Sequence, residues 1–152
     1  MDLDESDRAI LREMQCDSQQ KIGELADRVS LSTSSTQRRL QRLRQSGVIS
    51  GDVSIVDPKK VGRNVTLLVE LELERDRPEL LSPLHKWIGS TPEVQQAWCL
   101  TGRGDYTLVV TTGSIEDFDA LSEQMMQRNA NIRKFTTSVV LKTLKRSLAL
   151  PI

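Results

Sequence analysis

At 152 residues the chain has room for one domain or two small ones, and with 28% charged but only 3% aromatic residues neither half can lean on clusters of rings. Stability must therefore come from aliphatic packing, with help from a partner subunit. A formal net charge of zero excludes a histone-like protein that binds by bulk charge, but it leaves room for one local basic patch that steers towards phosphate.

The first 16 residues carry Leu3, Ile10, Leu11 and Met14 on one side of a predicted helix over 2–16. Asp4 is placed to cap it, with Asp7 three residues on, and both acids favour the positive end of the helix dipole. Asp17-Ser18-Gln19-Gln20 reads as a loop. Ile22, Leu25, Ala26 and Val29 then repeat at helical spacing, and Ser30-Leu31-Ser32 breaks the pattern.

A third helix is predicted from Thr33 to Ser46, with Thr36, Leu40 and Leu43 inward and Gly47 just past its end. Its far side gathers Ser34, Arg38, Gln41, Arg42 and Gln45. From Arg28 to Gly51 there are five arginines (Arg28, Arg38, Arg39, Arg42, Arg44) and no acid to pair with them. Arginine reaches guanine and phosphate, glutamine reaches adenine, and small hydroxyls permit close approach. A helix, a tight turn and a second helix with a basic polar face outline a helix-turn-helix whose second helix enters the major groove of double-stranded DNA. The expected contacts are Ser32, Thr33, Ser34, Ser35, Gln37, Arg38, Arg39, Gln41, Arg42 and Arg44, with Ser34, Ser35, Gln37 and Arg38 nearest the bases and Arg39, Arg42 and Arg44 on phosphate. The competing reading is an amphipathic helix with a solvated Arg/Gln face.

Val48–Val56 alternates as a short strand, and the turn-rich Asp57–Asn64 marks a boundary. Beyond it, Val65 to Glu74 alternates strictly, with 65, 67, 69, 71 and 73 apolar and 70, 72 and 74 acidic, as a strand with one buried face does. Leu80, Leu84, Trp87 and Ile88 mark a helix ending at Gly89, and Pro83 requires either a kinked first turn or a later start. Val94–Leu100 and Tyr106–Thr112 read as strands joined by Thr101-Gly102-Arg103-Gly104-Asp105. Ser114 and Asp117 form a capping box for a helix with Ile115, Phe118, Leu121 and Met125 inward, and a last strand spans roughly 132–145. The order β-α-β-β-α-β is the ferredoxin-like split unit, an antiparallel sheet with both helices on one face. Thr107, Thr111, Thr136, Ser138 and Val140 leave the other face open to water or to a second copy. The fold class is thus α+β: a helix-turn-helix over 1–50, a β hinge over 51–64 and a ferredoxin-like domain over 65–152.

Cys16 and Cys99 lack metal-ligand spacing and are expected as buried thiols of a reducing cytoplasm. No apolar leader or membrane-length run is visible, so the expected location is cytoplasmic. His85 is the one histidine, with no nucleophile or orienting acid placed for it, and no phosphate-cradling glycine motif or metal cluster occurs. The expectation is a protein with no catalytic residues, metal or cofactor.

Taken in order, Leu3-Asp4, Asp7, Ile10-Leu11, Ser32 through Arg38, Leu43, Gly47-Val48-Ile49, Asp57-Pro58, Thr101-Gly102 and Asp105-Tyr106 resemble the Lrp/AsnC (feast/famine) family of transcription regulators over nearly the whole length. The resemblance implies a winged-type helix-turn-helix, a β hinge and a ferredoxin-like effector (RAM) domain. It implies homodimers, often assembled into octamers, and a small-molecule effector bound between RAM domains near the loop joining their second and third strands. Here that loop is Thr101, Gly102, Arg103, Gly104 and Asp105, and an amino acid with an apolar or sulfur-containing side chain is the expected effector. The family more often has an acid and an aromatic where this chain has Arg103 and Gly104, and Lys21 replaces a small capping hydroxyl. On the residues alone the same loop reads first as a plain hairpin with glycines for turn geometry, and it is the resemblance that brings an effector site level with that reading. Two other readings share the architecture: a tetrapyrrole (sirohaem) decarboxylase, and a metabolite sensor that does not bind DNA.

Overall fold

Three helices open the chain in the computed structural model, which describes residues 2–75, 78–102 and 104–152. Helix α1 (Glu5–Cys16) starts at Asp4, whose carboxylate accepts from the Asp7 amide while the Asp7 carboxylate accepts from the Asp4 amide, a full capping box. Helix α2 (Ile22–Arg28) starts at Lys21 with no side-chain cap, as the loss of a small hydroxyl there implies. Helix α3 (Thr33–Gln45) starts at Ser32, which accepts from the Ser35 amide. Ser30 takes up a left-handed φ of +54° in the turn between α2 and α3. Gly47, at φ +75°, closes α3, and the Ile49 amide returns to the Leu43 carbonyl. Ile10, Leu11, Met14, Leu25, Leu40 and Leu43 form the shared core, with Leu3, Ile22, Val29, Leu31 and Ile49 around it.

The strand expected over Val48–Val56 is not formed. The chain there has no regular structure, and Val53 and Ile55 stand 75% and 89% exposed. Alternation gives a strand only where a neighbour takes up the free N–H and C=O groups, and the described residues offer none. Asp57 then caps a single 3-10 turn, Pro58–Val61, which ends on a left-handed Gly62.

The second part is an antiparallel sheet of β1 (Val65–Leu73), β2 (Val94–Cys99), β3 (Tyr106–Thr112) and β4 (Ile132–Val139), in the order β2-β3-β1-β4. Helices α4 (Pro78–Ser90) and α5 (Ile115–Arg128) supply Leu84, Trp87, Phe118 and Met125 to a core with Leu67, Val69 and Leu71 of β1 and Leu108 and Val110 of β3. The strict alternation of β1 puts its odd residues into this core. The register carries the opposite face across the sheet, lining up Trp98, Thr107, Glu70 and Thr136, and beside them Gln96, Val109, Leu68 and Ser138.

Helix α4 runs through Pro83, so of the two alternatives the later start falls; Pro83 and Glu79, whose carbonyl loses its partner, are both exposed, so water can replace the missing bond. Three expectations are corrected. Ile115 is exposed, because it is the first residue of α5 and precedes the face that packs through Phe118, Ser122 and Met125. Strand β4 stops at Val139 instead of near 145: its partner β1 begins at Val65, and after the Val140 amide bonds Thr66 no further partner remains. Cys16 and Cys99 are free, as expected, but both are exposed.

The chain divides into two compact units, Met1–Ile55 with Lys145–Ile152, and Val56–Leu144. The division falls between Ile55 and Val56, and Lys145–Ile152 goes with the helices and not with the sheet.

Candidate functional site

Helix α3 owes its exposed face to the residues that anchor the opposite one. Thr36 is fully buried and its hydroxyl donates to the Ser32 carbonyl at 3.0 Å, while Leu40 and Leu43 fill the core. Thr33, Ser34, Gln37, Arg38, Gln41 and Gln45 are left exposed, and Ser35 is half-buried. Ser32 and Ser34 face each other, Oγ to Oγ, at 3.3 Å. A row of short hydroxyls leading into glutamine and arginine can accept and donate hydrogen bonds along a groove floor.

The arginines separate in a way the local sequence hides. Asp7 of α1, wholly buried, accepts from Arg39 Nη1 at 2.9 Å and from Arg42 Nη2 at 2.5 Å. Arg39 also straddles Asp4, at 2.9 and 2.7 Å, and its side chain is only 22% exposed. Arg44 bonds Asp52 at 2.9 Å and Arg28 bonds Glu13 at 3.1 Å. The segment has no acid of its own, but acids from α1 and from the chain after α3 pair with four of its five arginines. Arg38 alone has no such partner among the described residues. The Asp7 amide and then the Arg39 guanidinium hold the Asp4 carboxyl below its ordinary value. Asp4 and then Asp7 raise Arg39 in return, and Glu13 raises Arg28.

The loop between β2 and β3 is built on two left-handed glycines, Gly102 at φ +115° and Gly104 at φ +77°. Asp105 is part of its frame: its amide donates to the Leu71 carbonyl at 2.8 Å, and its Oδ2 accepts from the Leu73 amide at 2.6 Å. One carboxylate oxygen is therefore committed to the end of β1. Thr101 and Gly102 are exposed, and Arg103 lies outside the described residues.

Sequence reasoning missed what sits beside this loop. An open cavity of about 320 Å³ is lined by His85, Ile88, Gly89, Ala97, Trp98, Cys99 and Tyr106. His85 Nε2 lies 2.7 Å from the Tyr106 hydroxyl, with the rings edge to face. The signal was faint: His85 with Ile88 and Gly89 at helical spacing on α4, and Ala97-Trp98-Cys99 closing β2 just ahead of the loop. Among the described residues no cluster of His, Cys, Asp or Glu could hold a metal ion. No helix among them is long and apolar enough to cross a membrane.

Residues 3–50 match the sequence model of a winged helix-turn-helix DNA-binding domain, and residues 66–150 match that of the Lrp/AsnC ligand binding domain. The chain belongs to the Lrp/AsnC family. An uncharacterized HTH-type transcriptional regulator of Sinorhizobium fredii is 41% identical over the whole chain and 90% of its own length. The transcriptional regulator AzlB of Bacillus subtilis is 33% identical over 99% of this chain and 96% of its own. The crystal structure of an AsnC family regulator from Agrobacterium tumefaciens superposes with a TM-score of 0.93 at 32% identity, covering 98% of this chain and 97% of that one. A Neisseria meningitidis transcriptional regulator, solved as a complex with L-Met, gives the same TM-score at 25% identity, covering 99% and 97%. As a member of the Lrp/AsnC family the chain is a DNA-binding transcriptional regulator and not an enzyme, which removes the decarboxylase reading and that of a sensor without DNA binding.

Proposed function

We propose that this Lrp/AsnC regulator reads a specific, roughly palindromic duplex in the cytoplasm, as a homodimer or an octamer, and that an amino acid modulates it. The observation that carries the reading is the exposed row Thr33, Ser34, Gln37, Arg38 and Gln41 on a helix locked from behind by Thr36, Leu40 and Leu43. Ser32 and Ser35 flank that row. Arg38, which meets no acid among the described residues, is the cation we place on a guanine edge. Arg42 and Arg44, each close to half exposed, can exchange their carboxylates for phosphate. Arg39, held by two acids, keeps the helix in place more than it grips DNA.

For the effector, Thr101, Gly102, Arg103, Gly104 and Asp105 remain the proposed contacts at the polar end. Among the described residues that line it, the adjoining cavity carries no acid, lysine or arginine, and it suits an apolar or sulfur-containing side chain. The L-Met complex of the Neisseria relative favours the same class. The sheet face bearing Leu68 and Trp98, both more than 40% exposed, supports pairing of two copies.

Selection of bound duplexes from random DNA tests the reading. We expect one enriched motif with two half-sites. Arg38→Ala should lower affinity for it by about 1–3 kcal/mol and relax one base position, whereas Arg42→Ala should weaken all duplexes alike. No enriched motif, or a uniform loss in Arg38→Ala, would refute it.

A further inference from the structure

The chain leaves the sheet after β4. Beyond β4, Leu141 and Leu144 project freely, at 95% and 86% exposure, and then Lys145–Ile152 returns to the helical unit. There the Gln15 side chain grips both backbone groups of Leu150. Its Nε2 donates to the Leu150 carbonyl at 3.0 Å and its Oε1 accepts from the Leu150 amide at 2.6 Å. This is the two-bond pattern by which a neighbouring strand holds a residue. Arg12 Nη1 donates to the Ile152 carbonyl at 3.2 Å, and the Ile152 side chain packs against the core of Ile10, Leu11, Met14, Leu25, Leu40 and Leu43. Leu148 and Leu150 stay largely exposed, so the attachment rests on directed backbone bonds and one apolar anchor rather than on general greasiness.

We propose that Lys145–Ile152 is a strap that ties the state of the sheet unit to the position of the reading helix, with Gln15 and Arg12 as its positioning residues. The proposal rests on α3 being the DNA-contacting helix. Helix α1 is the connecting rod. It holds the strap through Arg12 and Gln15, and at its other end it holds Arg39 and Arg42 of α3 through Asp4 and Asp7. The sheet unit therefore reaches the helical unit along the chain at two places, after Ile55 and after Leu144. A single tether would let the helical unit swing freely. A second one that grips α1 turns a shift at the end of β4 into a pull on the helix that sets two of the arginines of α3.

Amide exchange of the full chain, read at Leu150, together with titration of the selected duplex, tests the strap. In the wild-type protein the Leu150 amide should exchange about tenfold or more slowly than in an unstructured chain. Because coupling is reciprocal, bound duplex should slow it further. Gln15→Ala should free that amide and weaken duplex binding about fivefold or more, with helical content unchanged. Ile152→Ser, which alters no helix residue, should do the same and guards against a folding defect in the first variant. A wild-type Leu150 amide that exchanges freely overturns the proposal, as does a freed amide with undiminished duplex affinity. If the wild-type chain bound no duplex at all, the reading of α3 would fall and the coupling with it, while a protected Leu150 would still show the strap held on α1.

Discussion

Asp7→Asn separates the two tasks that one buried carboxylate performs. The substitution preserves size but places an amide N–H₂ where two guanidinium groups now donate, at 2.9 Å from Arg39 and 2.5 Å from Arg42. Breaking a fully buried pair in this way costs about 3–5 kcal/mol. Here Arg42 is 48% exposed and can turn to water, and Arg39 retains Asp4, so the expected loss is roughly 2–3 kcal/mol. In urea that lowers the midpoint of the helical unit by about 1–2 M. The freed Arg42 should also become a better phosphate ligand, which steepens the salt dependence of non-specific DNA binding by about one unit in log–log slope. Chemical denaturation followed by helical circular dichroism reads the first effect, and anisotropy of a labelled random duplex over a salt series reads the second. An unchanged midpoint together with an unchanged slope would show that Asp7 does not hold these arginines in solution.

Asp4, whose carboxyl is held below its ordinary value of 3.8, binds fewer protons folded than unfolded in the window beneath that value, so its contribution is present above pH 4 and is lost as pH falls through the lower folded value. An acid titration should accordingly be flatter for Asp4→Asn than for wild type, and parallel curves would exclude the assignment. Ser30 occupies φ +54°, a conformation that costs an L-residue about 1–2 kcal/mol. Ser30→Gly removes most of that cost but adds freedom to the unfolded chain, about 0.4–1 kcal/mol, so a net gain of roughly 0.5 kcal/mol is expected in urea and a loss would contradict the turn geometry. L-methionine titrated into the full chain should release heat and shift the fluorescence of Trp98, with a coupling to DNA binding of about 1–3 kcal/mol; silence in both signals, or an equal response in Trp98→Ala, would remove the cavity from the effector reading.

Where apolar residues repeat over one long face, the sequence alone revealed the element. The alternation of 65–73, the leucines of α3 and both acid-containing capping boxes reappear residue for residue. The failures occur where an element depends on a partner at a distance. Val48–Val56 alternates but meets no neighbouring strand among the described residues, and β4 ends where β1 has no more residues to offer. The site divides in the same way. The exposed Ser/Gln/Arg row follows from helical spacing, but its charge does not, because Asp4, Asp7 and Glu13 lie 15 or more residues from the arginines they meet. The pairing of His85 with Tyr106 spans 21 residues and leaves no local pattern at all.

That pairing of arginines changes what kind of DNA binder the helix can be. Five free arginines would attract any duplex strongly, and each phosphate neutralised would add about 0.9 to the salt slope. With four of them already facing carboxylates, moving one to a phosphate exchanges one ion pair for another, and the long-range attraction is correspondingly weak. A reader built this way gains little from random DNA and, in the proposed dimer, would draw its affinity from base edges and from two readers on one site. Linking the two converts the second contact into an intramolecular one, worth about 10²–10⁴ in avidity without any new interaction. If the sheet unit pairs two copies as proposed, it is as much a part of recognition as α3, and the proposed strap on α1 would matter because avidity is lost when two reading helices do not match the spacing of their half-sites.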